Sequence, residues 1–110
     1  MKSQKVNLVE SVVAAVDLTR RRFVGFDGNV CANGAKALGV VDADTAAGNV
    51  APANVLGVIL VEAGAAISAG AEVQSDASGK AITKAAGVSN GFAWDAATAA
   101  GDVIRIVRGI

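Results

Sequence analysis

Along this chain of 110 residues the apolar positions fall into short, valine- and isoleucine-rich runs cut by glycine-containing corners, and no stretch sustains a 3.6-residue apolar period. The stretch that organises the rest is Val55 to Thr83, VLGVILVEAGAAISAGAEVQSDASGKAIT. Its first run, Val55 to Val61, is apolar on both faces of a strand: Val55, Ile59 and Val61 on one side, Leu56, Val58 and Leu60 on the other. Seven residues cannot span a bilayer, which takes about 20, so the run is a core strand. Glu62-Ala63-Gly64 breaks it and Ser68-Ala69-Gly70 makes a second corner, since glycine enters tight bends without steric penalty. Glu72 to Ser75, the four residues Asp76-Ala77-Ser78-Gly79 and Lys80 to Thr83 then read as a hairpin. Pairing Ser75 with Lys80 sets Val73 opposite Ile82 as a buried β-branched pair.

The flanks continue in the same manner. Val6, Leu8, Val12 and Val13 are β-favouring with no bracketing helix caps, which predicts an extended arm or edge strand. Phe23 to Phe26, the turn Asp27-Gly28-Asn29 and Val30-Cys31-Ala32 form a strand, turn and return strand; Asn33-Gly34 turns again into a strand over Lys36 to Val41. The only proline, Pro52, is expected in the connection from Asn49 to Asn54, where a missing N–H is harmless. Phe92 to Trp94 makes a short strand. Asp102 to Arg108 closes the chain, with Val103, Arg105 and Val107 on one side and Ile104 and Ile106 on the other. Short strands with glycine turns every 8 to 12 residues or so predict an all-β fold, a small single-domain β-barrel or sandwich. Residues 1–19 form its N-terminal arm or edge segment and residues 20–110 its body.

One internal repeat stands out. DADTAAGNV at 42–50 recurs as DAATAAGDV at 95–103, seven of nine positions matching at an offset of 53, and ISAGAEV at 67–73 is a looser third copy. Each places a small-residue corner just before a valine that opens a strand, the reuse of one turn solution in equivalent places. A metal loop built on Asp42 and Asp44 is excluded in detail, because an EF-hand needs glycine at its sixth position and glutamate at its twelfth, where this chain has Ala47 and Ala53.

Composition narrows the function further. Ten acidic and ten basic residues cancel, so the overall charge offers no attraction for nucleic acid or an anionic membrane. The 53% hydrophobic content and mean hydropathy of +0.48 point to surface covered by other subunits. One cysteine permits no internal disulfide, which fits folding inside a cell, and the longest N-terminal apolar run, Val12 to Val16, is too short for a signal peptide. With no histidine the commonest general base and metal ligand are missing together. Cys31 reads as a small packed hydrophobe, and Phe23, Phe26, Phe92 and Trp94 read as core. No phosphate loop is present. The reading is of a non-enzyme with no cofactor and no metal site. Its one charge concentration is Arg20, Arg21 and Arg22, a candidate contact with an acidic protein surface, although on a strand Arg21 would point opposite to its neighbours.

The succession RRFVGFDG, ALGVVDADTAAG, VLGVILVEAGAAISAGAEVQSDASGKA and GFAWDAATAAGDVIRI, spanning about residues 20–108, resembles the capsid cement, or head decoration, proteins of tailed bacteriophages and their prophages. The resemblance implies a compact β-barrel with an N-terminal arm that is made in the host cytoplasm and sits on the outer surface of the virion's capsid. There it would oligomerise and brace neighbouring subunits of the major capsid protein lattice, without catalytic residues. A homotrimer is the expected self-association, a homodimer the second choice, and neither nucleic acid nor membrane is an expected partner. Val61-Glu62-Ala63-Gly64 followed by the Ala69-Gly70 corner is also similar to biotinyl- or lipoyl-carrier barrels. In those a modifiable lysine stands in a tight hairpin between specific flanks, and Lys80, at a strand start after Asp76-Ala77-Ser78-Gly79, lacks them.

Overall fold

The computed structural model describes residues 2–110; residue 1 of the N-terminal segment lies outside the described residues. Eight strands and no helix make up the described residues: β1 (Lys5–Val13), β2 (Phe23–Val24), β3 (Gly39–Val41), β4 (Val50–Glu62), β5 (Val73–Ser75), β6 (Ala81–Thr83), β7 (Phe92–Ala93) and β8 (Val103–Arg108). Six of them form one curled antiparallel sheet, and β5 and β6 form a separate hairpin; the fold is all-β, as the sequence predicts, and takes the form of a curled half-barrel. The axis of the sheet is β4, which contains the Val55–Val61 run. Asn54 is paired with both Val9 of β1 and Val40 of β3, and Gly57 with both Val6 of β1 and Arg108 of β8. Hence β1 runs along one edge of β4, while β3 and then β8 share the other. A register shift at Val55 and another at Asn7 are bulges, which change the phase of the strands and tighten their twist.

That change of phase lets one strand serve two cores. Before the bulge, Ala51 and Ala53 pack with Ala14, Leu18, Val24 and Val41. After it, Ile59 and Val61 pack with Phe23, Val40, Val73, Ile104 and Ile106. Ile59, Val61, Ile104 and Ile106 are wholly buried, each worth about 1.5–3 kcal/mol of transfer free energy. The N-terminal segment lies against the rest of the fold: β1 pairs along the edge of β4, and Ala14 and Leu18 are buried in the smaller cluster.

The pairing reveals that the chain uses one motif twice. Val13↔Val50, Val12↔Ala51, Ser11↔Pro52 and Glu10↔Ala53 between β1 and β4 recur as Glu62↔Val103, Val61↔Ile104, Leu60↔Arg105 and Ile59↔Ile106 between β4 and β8. The corners follow suit. Leu18 and Thr45 exchange main-chain hydrogen bonds of 2.8 and 2.9 Å, as Ile67 and Ala97 do at 2.9 and 2.9 Å; Arg21 N–H donates to Val41 O at 2.7 Å, as Gly70 N–H does to Ala93 O at 2.6 Å. Residues 5–53 and 54–106 thus repeat one pattern of strand pairing. The corners at 42–50, 67–73 and 95–103 are joined by a fourth, at 18–24, which the sequence conceals because Arg21, at φ 67°, occupies the place of Gly70.

Several local expectations are corrected. Pro52 lies inside β4 rather than in a loop. Ala51 and Ala53 face β1, so Pro52 faces the other edge, where its carbonyl accepts Asp42 N–H at 3.0 Å. At the equivalent position Arg105 N–H must be satisfied by the Asp95 carboxylate; proline has no such donor to satisfy. The β5–β6 hairpin pairs Ser75 with Ala81, Gln74 with Ile82 and Val73 with Thr83, one residue away from the expected register. The reason is the turn: Asp76 N–H donates to Lys80 O, the Asp76 carboxylate accepts from Ser78 and Lys80 N–H, and Gly79 takes φ 79°. That is a three-residue loop with a left-handed glycine, not a four-residue one. The expected strands over Val30–Ala32 and Lys36–Val41 shrink to a single bridge at Val30 and to Gly39–Val41.

Candidate functional site

The three arginines do not act together. Arg20 is exposed, its N–H held by Asp44 Oδ1 at 2.8 Å. Arg21 is half-buried, with its Nε shut off from solvent and without a hydrogen-bond partner, and its carbonyl accepts Glu62 N–H at 2.8 Å. Arg22 is committed to the fold: its Nε lies 3.3 Å from Glu62 Oε1, while Lys80 Nζ lies 3.4 Å from Glu62 Oε2. One carboxylate at the end of β4 thereby ties the first corner to the β5–β6 hairpin. Of the cluster, Arg20 is the residue with an open guanidinium face.

A second arginine site was missed by sequence reasoning. Arg105, on the outer face of β8, grips Asp95 with Nε and Nη2 at 2.9 and 2.8 Å, and its N–H bonds the same carboxylate at 3.0 Å. These bonds, with the positive charge behind them, pull the Asp95 carboxyl down to about 2. The guanidinium carbon sits 4.2 Å from the centre of the Trp94 ring, within cation–π range. Trp94 is 52% exposed and Phe26 is 68% exposed, so neither is core as the sequence suggested, whereas Phe23 is. A tryptophan held flat by a pre-ordered arginine is the kind of side chain that anchors protein interfaces. The signal was available in the alternation of β8, which puts Arg105 outward, opposite Trp94 just past the end of β7.

The remaining surface is apolar rather than chemical. Val13 and Val50 face each other across β1 and β4 at 61% and 63% exposure, with Val9 exposed on the same strand. A shallow cleft of about 440 Å³ is lined by Lys36, Glu72, Phe92, Arg108 and Ile110 among others. Arg108 is buried there with Nη2 on Ala37 O and no carboxylate partner, and burial lowers its pKa. Cys31 is buried, and burial raises its thiol pKa, the opposite of what a nucleophile needs. Among the described residues no three of His, Cys, Asp and Glu are grouped to hold a metal.

No curated protein matches the chain. Among solved structures, the N base of the head fiber protein gp8.5 of bacteriophage phi29 superposes with a TM-score of 0.75 over 93% of each chain, at 20% sequence identity, which shows a shared fold. The model of the family described as phage cement protein matches residues 1–108, nearly the whole chain, and on that match the protein belongs to the phage cement protein family.

Proposed function

We propose that this protein is a cement protein of the outer capsid surface, a homo-oligomer that binds the major capsid protein and strengthens contacts between neighbouring capsid subunits. The observation that carries this reading is the family match over residues 1–108 on a chain whose exposed features are interface-like: Trp94 on Arg105, Phe26, and the Val13–Val50 pair. In this reading residues 20–110 are the body and residues 1–19 its edge segment. Arg20 meets acidic side chains of the lattice, where a guanidinium forms paired hydrogen bonds with a carboxylate. Many copies on one shell gain strength through effective concentration, so each contact need bury little area.

The test is co-sedimentation with expanded capsids of the virus that encodes the protein, with shell survival after heating scored by electron microscopy. Saturable binding and shells that last longer support the reading, and Arg20→Glu should weaken binding about tenfold while leaving the fold intact. Shells that neither bind the protein nor gain heat resistance would refute it. The carrier alternative has no supporting observation, since Lys80 is ion-paired with Glu62 and not displayed at a turn tip.

A further inference from the structure

The internal repeat makes β1 the structural counterpart of the second half of β4, and the two differ in one respect. In β4 the outward main-chain groups of that segment are occupied: Lys5 and Val6 pair with Val58 and Gly57, Gln4 Oε1 accepts Leu60 N–H at 3.0 Å, and Arg21 O accepts Glu62 N–H at 2.8 Å. In β1 the same edge is largely open. Ala14 bonds Asn49 and Gly48 on the β4 side, and Ala15 N–H turns the other way to Gly28 O. By strand alternation Val12 and Glu10 face β4, whereas Ser11 and Val9 face away. Gly57 lies against Lys5 O and Asn7 N, so Val6 faces away as well. Gly28 closes the edge at Val13, and among the described residues nothing takes the outward groups of Val6, Val9 and Ser11. The edge carries Lys5, Glu10 and the bulge at Asn7, yet Val9 and Leu8 are exposed beside the open groups.

We propose that a second copy of this chain occupies this edge, β1 against β1 in antiparallel pairing about a two-fold axis near Asn7 and Leu8. The strand is complementary to itself. In Lys5-Val6-Asn7-Leu8-Val9-Glu10, reversal sets Lys5 opposite the partner's Glu10 and Glu10 opposite the partner's Lys5. It also sets Val6 opposite the partner's Val9, twice. The open positions fit this register, because Val6 and Val9, whose main chains face outward, fall opposite each other, and Ser11 falls opposite the partner's Gln4. The contact is isologous and closes on itself, so it gives a dimer, not the trimer expected from the sequence. It goes beyond capsid binding and does not depend on it.

Sedimentation equilibrium of the full chain without capsids reads the mass, with near-ultraviolet circular dichroism confirming the fold of each variant. A dimer is expected. Glu10→Lys alone and Lys5→Glu alone should each weaken it about tenfold, since two like-charge pairs replace two opposite ones, and the double swap Lys5→Glu/Glu10→Lys should restore it. Val9→Pro, which removes an outward N–H and holds the strand at an extended φ, should give folded monomer. A trimeric or monomeric mass for the unaltered chain, or a dimer indifferent to both single charge changes, overturns the proposal. So does a monomer whose Val9→Pro form loses capsid binding alone, which would assign the edge to the lattice.

Discussion

The register of the β5–β6 hairpin can be decided by two substitutions. Val73 has no solvent exposure, and Ile82, opposite Gln74, is only half-buried. Val73→Ala removes two methyl groups from a closed site: about 1.6 kcal/mol of transfer at ~0.8 kcal/mol per group, rising to about 2–3 kcal/mol with the cavity left behind. Ile82→Ala removes three carbons from a site that is only partly buried, with up to about a third of the residue already in water and little closed cavity left behind, so the same arithmetic gives about 1.5–2 kcal/mol. Had Asp76 to Gly79 been a four-residue loop, Val73 and Ile82 would have been partners in the core and the larger side chain would have cost more. Urea unfolding of both variants at one fixed protein concentration, followed by circular dichroism, measures the midpoints; fixed concentration matters because self-association adds to apparent stability. A loss at Ile82 equal to or larger than that at Val73 would refute both the register and the three-residue loop.

Three further outcomes follow from the same structure. The Asp95 carboxyl is held at about 2, below its ordinary 3.8, so its contribution is fully present above pH 3.8 and disappears as the pH falls towards 2. Asp95→Asn should therefore cost about 1 kcal/mol at pH 7, after solvent screening of a surface pair, and almost nothing near pH 2 in acid-dependent urea titrations. Gly39 and Gly91 occupy equivalent places, where a Cβ would strike the Asn54 and Val107 carbonyls. Alanine at either should cost more than about 2 kcal/mol by melting or urea, against about 1 kcal/mol at Gly48, whose surroundings are open. Leu18 and Ile67 are matched corner residues buried in different clusters. Alanine at each should cost about 2–4 kcal/mol in equilibrium unfolding, and the double variant should lose about the sum.

The sequence by itself determined the fold class, because what it depends on is local: β-branched runs of strand length, glycine at corners, and alternation that puts Ile104 and Ile106 inward and Arg105 outward. It also carried the family, in motifs spread over most of the chain, and it showed three of the four corners. The fourth was hidden because Arg21 adopts a left-handed conformation that its residue type disfavours, and only the packing between β3 and the end of β4 holds it there. Tertiary structure decided everything that depends on which strand lies beside which. It put Pro52 in a strand, since on the edge it faces only its carbonyl is used, by Asp42 N–H, and a proline leaves no donor there to satisfy. It committed Arg22 to Glu62, left Trp94 outside on Arg105, and made the two halves of the chain copies of one another through their hydrogen bonds. Few side chains record that repetition, because each half meets a different neighbour: the second half of β4 has β1 laid along its edge, and β1 has the same edge open.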